Sequence, residues 1–448
     1  MQKIVTSKFL CMDGALSCSD HDLTVLRAID LTAQEKMLLY YQMLRRPFTK
    51  VCRLRFLNTD GSTAFAVDNS PYNRYRTAFI ADGQISVNLQ NGTRRTATVI
   101  LDNSSGKFSY DVDHIWFGTE IALDEGLVFP NGENFYIQQG VFLVSDPVTQ
   151  LRSGENKVSL SLVDKWANLD GTLGGNLEAV YQVPVGTNLF LPISALLRED
   201  RGNGRPIDRM DPVYTNYYND LTQYIPGGKE ALLTDTAYTI TVDADGGTKA
   251  QVILELTGMV NAWVGYDSTG RLRIDPSQDD ISDIGKPILW DFSMEETTLI
   301  GLSYAAKNTE MYNDYIVIGE QMNDYTQPMG RAQNLDFASP TNVNLIGRKT
   351  FRESKAGYAT VTQCEDYAKW KLKRTAVLRN EVSIECSQIF HLEENKLVTI
   401  IRTDKPGAPR ELHLVTGFTR PLASSGPMQI TATAVDDLPE ATLVSPTD

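Results

Sequence analysis

The spacing of hydrophobic positions changes several times along the chain. Between Thr32 and Arg45, Met37, Tyr41 and Leu44 recur at helical intervals behind Thr32 and Glu35, which have capping-box spacing, and Pro47 closes the segment. A helix over 32–45 is predicted. From Lys50 the period falls to two. Cys52, Leu54 and Phe56 alternate with Arg53 and Arg55, and the run closes in Asn58-Thr59-Asp60-Gly61, a turn composition. Ile85, Val87 and Leu89, then Ala97, Val99 and Leu101, repeat the alternation on either side of Asn91-Gly92. Phe135 to Val144 and Val158 to Val163 add two further runs. Short alternating strands joined by turns predict a small antiparallel sandwich or barrel with one face buried, ending near Gly174-Gly175.

From Val183 to Pro287 the texture is mixed. Leu189 to Leu197 reads as helix, Arg201 to Asp211 as a polar loop rich in Gly, Arg and Asp, and Ala250 to Trp263 as a second helix. A hairpin follows over Tyr266 to Ile274. In the last third, Tyr315 to Ile318 is a predicted strand, and Val361, Cys364, Ala368 and Leu372 form an apolar helical stripe entered through Thr362 and Glu365. That stripe is expected to lie on a sheet containing Val382, Ile384 and Cys386, completed by Leu397 to Ile401, Leu412 to Val415 and Met428 to Ala432. The pattern divides the chain into an assembly arm at 1–45, whose helix face of Met37, Tyr41 and Leu44 is expected to pack against another part of a complex, a β domain at 46–175, a mixed α+β domain at 176–299, a second β domain at 300–440 and a tail at 441–448. The fold class is mainly β, with two small antiparallel barrels or sandwiches flanking a mixed insert.

Composition narrows the function. With 448 residues, 42% hydrophobic and 22% charged, the chain is long enough for several packed units and is expected to fold nearly throughout. A formal charge of -14 argues against a surface that grips phosphates. Cys11, Cys18, Cys52, Cys364 and Cys386 are too scattered for a disulfide framework and read as reduced. Asp13 interrupts the only stretch that resembles a signal peptide, and no window has the ~20 apolar residues of a membrane-spanning helix, so synthesis in a cytoplasm without a membrane anchor is expected.

The candidate chemistry is thin. Cys11, Cys18 and His21 approach a zinc cluster, but a fourth ligand and Cys-x2-Cys spacing are missing. Asp111, Asp113 and His114 read as a solvated turn before Ile115-Trp116-Phe117. Asp243-Ala244-Asp245-Gly246-Gly247 imitates the start of a calcium loop without the later ligands and reads as a hairpin turn. Ser105-Gly106-Lys107 lacks the earlier glycine of a phosphate-binding loop. Glu295 and Glu296 are adjacent, so in a strand they point to opposite faces and cannot flank one glycosidic bond. His391 and His413 lie in no nucleophile or metal motif. The expectation is a non-enzymatic protein with no catalytic, cofactor or metal residues, and no hydrolase domain is expected after the final β domain.

Several phrases, taken in order, resemble the baseplate hub proteins of phage tails. They are Ser161-Leu162-Val163-Asp164-Lys165-Trp166-Ala167-Asn168-Leu169-Asp170, Trp263-Val264-Gly265-Tyr266-Asp267 with Gly270-Arg271-Leu272, and Asn313-Asp314-Tyr315-Ile316-Val317-Ile318-Gly319. The helix after Thr362, Val382 to Cys386 and His391 to Val398 complete the likeness, which spans roughly residues 46–440. The resemblance implies a structural protein of the virion's tail tip: a homotrimer whose two tube-like domains per subunit imitate a six-fold ring. The implied partners are the distal tail protein or tail-tube ring, the tape-measure protein and other tail-tip proteins, with DNA only in transit. An acidic lining would keep DNA from sticking. A host-surface-binding tail protein, hinted at by Tyr214-Thr215-Asn216-Tyr217-Tyr218, and a cell-wall hydrolase are the competing readings.

Overall fold

A computed structural model describes residues 32–445 apart from 70–79, 105, 107, 109–116, 154, 202–204, 216–223, 227–234, 237, 260–261, 277–285, 294–295, 308–310, 322–325, 356, 378 and 436–438. The described chain opens with helix α1 (Ala33–Met43) and strands β1 (Lys50–Leu57), β2 (Thr63–Asp68), β3 (Ile80–Asn88), β4 (Arg95–Asp102), β5 (Glu120–Val128), β6 (Asn134–Arg152) and β7 (Glu155–Asp164). The mixed segment follows, with β8 (Tyr181–Val183), α2 (Phe190–Arg198), β9 (Val213–Thr215), β10 (Tyr224–Pro226), β11 (Ile240–Val242), α3 (Lys249–Met259), β12 (Ala262–Tyr266) and β13 (Leu272–Pro276). The remainder holds β14 (Ile288–Ser293), β15 (Leu299–Lys307), β16 (Asp314–Ile318), β17 (Met329–Asn334), α4 (Val343–Ile346), β18 (Thr350–Ser354) and α5 (Val361–Thr375). It ends with β19 (Arg379–Cys386), β20 (Leu397–Ile401), β21 (Arg410–Pro421), β22 (Met428–Ala434) and β23 (Ala441–Leu443).

The architecture is mainly β. Strands from the first and last thirds join in one 13-stranded sheet, in the order β15-β19-β22-β21-β3-β4-β7-β6-β5-β1-β2, with β20 on β21 and β14 on β20. Alternation explains the inward faces: Cys52, Leu54 and Phe56 of β1 are buried, while Arg53 and Arg55 turn outward and share Asp124 on the neighbouring strand at 2.7 Å each. The apolar faces of both groups of strands enclose one contiguous core, in which Phe56, Val99 and Phe142 belong to the same cluster as Ile384, Val398 and Phe418.

The two groups meet along β21, which forks. One edge of this strand pairs with β22, while the other pairs with β20 through Arg410–Leu414 and with β3 through Gly417–Pro421. The register against β22 slips between Val415 and Gly417, where one partner gives way to the other. Gly417 is required there by crowding: an added Cβ would lie 2.7 Å from both the Val87 carbonyl and Asn88 Oδ1.

Three local expectations change. The helix at 32–45 forms with the Thr32–Glu35 capping box, but its apolar side packs on this chain and not on another component. Leu39, Tyr40, Met43 and Leu44 are buried in the core, Met37 and Tyr41 pack against it, and Tyr41 stacks on Trp290. Residues 1–31 of the expected arm lie outside the described residues. The helix expected over Ala250 to Trp263 ends at Met259, because Ala262, Val264 and Tyr266 enter strand pairing with β13 while facing the same apolar core. A short buried apolar run has no periodicity that separates helix from strand.

The third change concerns α5. Its capping box is Thr360 with Gln363, two residues before the expected pair, so Val361 takes the first helical position and is half exposed. Cys364, Tyr367, Ala368 and Leu372 are its buried face. They pack on a separate four-stranded sheet, β18-β16-β17-β23, and not on Val382, Ile384 and Cys386, which belong to the large core. Gly330 on β17 permits this docking, since a Cβ there would stand 2.4 Å from the Cys364 carbonyl carbon and the Glu365 nitrogen. Part of the expected C-terminal tail is strand β23, which closes this small sheet by pairing with β17.

Leu372→Asp places an unpartnered carboxylate in this small core and should destabilise it by about 4 kcal/mol or more. Hydrogen exchange is expected to accelerate in β16, β17 and α5 while β3, β4 and β7 stay protected. Uniform loss of protection across the large sheet would show that the small unit has no stability of its own.

Candidate functional site

The alternation of the large sheet turns four charged side chains inward. Lys50 shares parity with Cys52, Leu54 and Phe56; Glu125 with Ile121, Leu123 and Leu127; Arg95 with Ala97, Val99 and Leu101; and Arg420 with Phe418. Each is buried. They converge between the two groups of strands and surround the segment Gln388 to Lys396, which runs through the interior between β19 and β20.

At the centre Glu125 accepts from Arg420 Nε at 2.8 Å and from its Nη2 at 2.5 Å, while Lys50 Nζ stands 2.7 Å from the other carboxylate oxygen. Arg420 also donates to the Ile389 carbonyl at 2.6 Å and to Gln139 Oε1 at 2.5 Å, and its guanidinium lies over the rings of Phe390 and Phe418. Lys50 donates to Gln388 Oε1 at 2.5 Å and to the Pro421 carbonyl. Burial would raise the Glu125 carboxyl, but the Arg420 and Lys50 charges and their hydrogen bonds outweigh it and hold it below its usual range. The trio is a buried ion cluster spanning both groups of strands.

A second cluster lies beside it. Arg95 pairs with Glu394 and donates to the Gln139 carbonyl at 2.9 Å, while Arg94 stands 3.8 Å from Glu394 and 4.0 Å from Asp275 of the mixed segment. Asp164 accepts from the backbone nitrogens of Arg94, Arg95 and Trp166 at 2.8, 3.0 and 3.1 Å. Burial nevertheless pushes its carboxyl up to about 6. On the other side of the loop, His391 Nε2 bonds the Leu289 carbonyl at 3.0 Å. A carbonyl only accepts, so Nε2 carries the proton and Nδ1 accepts from the Tyr40 hydroxyl at 2.9 Å. That hydroxyl accepts in turn from the Phe390 nitrogen at 3.0 Å. Burial pulls the imidazole down to about 4.

In the first cluster two cations, Lys50 and Arg420, meet the one carboxylate of Glu125. Among the described residues no three His, Cys, Asp or Glu side chains stand as a metal group. Among those residues no helix is long and apolar enough to cross a membrane. Cys52, Cys364 and Cys386 are free and buried, and burial pushes the Cys52 and Cys386 thiols up to about 12. Cys11, Cys18, His21, Asp111, Asp113, His114, Ser105, Lys107 and Glu295 lie outside the described residues. Asp243 to Gly247 forms the turn from β11 into α3, because β11 pairs with β8 and leaves no hairpin for it to close. Glu296 is 3.5 Å from Arg45, and His413 is buried on β21 beside Tyr304. The side chains of Tyr214, Tyr217 and Tyr218 are outside the described set.

No model of a known protein family matches the chain, and no curated protein matches it. Solved structures do. A tail protein from Neisseria meningitidis MC58 superposes with a TM-score of 0.55 at 10% identity, over 86% of this chain and 97% of its own. The 43 kDa tail protein of prophage MuSo2 from Shewanella oneidensis gives 0.54 at 12% identity, over 86% and 98%.

Two substitutions test the junction. Arg420→Met strands Glu125 beside Lys50 alone and should cost about 3–5 kcal/mol in chemical denaturation, whereas adding Glu125→Gln should recover much of the loss. No recovery in the double variant would mean that Arg420 acts through packing and not through charge. For His391 the folded value near 4 lies below the ordinary imidazole value of 6.5, so the unfolded chain binds the extra proton. Its contribution is complete above about pH 6.5 and is lost as pH falls towards 4. Asp164, raised to about 6, acts in the opposite sense over the same window. The melting advantage of the native protein over His391→Gln should therefore shrink between pH 7 and pH 4.5; a constant difference would remove His391 from the acid response. With strands, junction and similar structures taken together, the chain has a mainly β fold similar to that of these two tail proteins.

Proposed function

We propose that this chain is a structural hub of a phage tail tip, assembling as a homotrimeric ring that joins the tail tube and distal tail protein to the rest of the tip and encloses a passage for the tape-measure protein and DNA. One observation carries the reading. The main path of the large sheet ends on β15 at one side and β2 at the other, and these strands come from the last and first thirds of the chain. A head-to-tail contact between β15 of one copy and β2 of the next would set the two β-rich parts alternately around an axis. Three copies would then present six similar positions to a six-fold tube.

Composition and chemistry agree with this role. The formal charge of -14 suits a conduit that DNA must leave freely, and the inward charges are spent on binding the two groups of strands together. A scaffold function without hydrolysis is in keeping with that use of its charged residues.

Ile300 and Ala305 lie exposed on β15, so Ile300→Lys with Ala305→Lys should leave the melting temperature nearly unchanged while blocking edge pairing. Native mass spectrometry of the unmodified chain is expected to show trimers, electron microscopy to show rings, and the double variant to be monomeric. Peptidoglycan incubated with either should release no soluble fragments. A native monomer under assembly conditions, or wall cleavage by the purified chain, would overturn the proposal.

A further inference from the structure

Between β17 and β18, the loop from Leu335 to Gly347 turns large apolar side chains to solvent. Phe337 is 92% exposed, Leu345 71% and Ile346 48%, and helix α4 within the loop buries none of its side chains. Exposed apolar residues scattered singly are ordinary on a protein surface. Three on one short loop are not scattered, and covering them would release the water held against them.

The loop is held from beneath by two buried amides. Asn313 Nδ2 donates to the carbonyls of Thr341 at 2.9 Å and Gly347 at 2.8 Å, and its Oδ1 accepts from the Lys349 nitrogen at 2.7 Å. Asn334 Nδ2 donates to Ser339 Oγ at 2.8 Å and Thr341 Oγ1 at 2.9 Å, and the Thr341 hydroxyl donates in turn to the Ala376 carbonyl. A buried network of this kind fixes the shape of the loop, so Phe337 has little backbone freedom left to lose when it is covered. The same bonds place the loop where the small sheet joins the large one. Edge strand β15 ends at Lys307 opposite Arg379 of β19, and the Tyr312 nitrogen bonds the Thr375 carbonyl at 3.0 Å, next to the Ala376 that anchors the loop.

We propose that this loop seats on a second copy of the chain, with Phe337 as its anchor, and extends the contact that begins along β15. The choice of partner rests on the ring reading above. Two considerations favour it. Strand β2 offers six residues to β15, a ladder about 20 Å long and one strand wide, which falls short of the ~800 Å² per partner that a stable contact covers. Further surface beside β15 must then be buried, and the braced loop supplies it at the Lys307 end of that strand, while Ile300 stands exposed towards the other. The patch is also of the right kind, because the buried centre of a contact between copies is apolar and depleted of charge.

Analytical ultracentrifugation of the full chain tests the contact. Phe337→Ser with Leu345→Ser should leave the melting temperature unchanged, since both side chains already face water, and should raise the dissociation constant of the native oligomer on the order of a hundredfold. Benzoylphenylalanine in place of Phe337 should, on irradiation, join two copies of the chain covalently. A native trimer that the serine variant weakens no further, or irradiation that yields only products within one copy, overturns this contact and leaves the ring standing. A native monomer overturns both. Native dimers that the serine variant dissociates would uphold the contact and overturn the ring.

Discussion

The ion cluster of Lys50, Glu125 and Arg420 is the constraint on which the fold turns. A carboxylate with no exposure to water is tolerated only where cations and further hydrogen bonds replace its hydration, and here the two cations come from opposite ends of the chain. Glu125 and Arg420 therefore fix the separation and register of the first and last groups of strands more narrowly than apolar contact could. Arg420 extends the constraint to the interior loop through the Ile389 carbonyl and to β6 through Gln139. The same loop receives α1 through Tyr40 and meets Arg95 through Glu394, so helix, sheet and loop share one polar framework.

Much of this was legible in the strand pattern. Lys50 and Arg95 each stand two residues from core positions in alternating runs, and an inward charge in such a run announces a buried partner, whereas β5 is buried at every position after its first and has no alternation to single out Glu125. Parity gives the face but not the partner. Arg420 is harder, because the register slip between Val415 and Gly417 breaks the alternation within its strand before it is reached. The helix at 361–375 was visible from its stripe, yet its destination depended on Gly330, which has no side chain to register in a hydrophobic pattern. Arg201 and Arg209 were visible only as part of a polar loop, since the sequence does not show that they line one cleft with Phe117 and the β1–β2 turn.

The forked strand explains how one sheet serves two neighbourhoods. Because β21 gives its first half to β20 and its second half to β3, the parallel β14–β20 pair can lie beside the antiparallel ladder without ending it. This brings Leu289, adjoining Trp290 and its aromatic neighbours, to the His391 ring. The small α5 unit stands outside this arrangement with a core of its own.

Separation along the chain gives the central cluster a consequence for biosynthesis. Glu125 leaves the ribosome 295 residues before Arg420, an interval of about 15–60 s at translation rates of roughly 5–20 residues per second. Throughout that interval the amino-terminal strands can collapse around their apolar faces but have only Lys50 to neutralise the acid. A nascent chain in this state is incomplete by one cation, and its maturation waits on the synthesis of a single arginine 295 residues downstream.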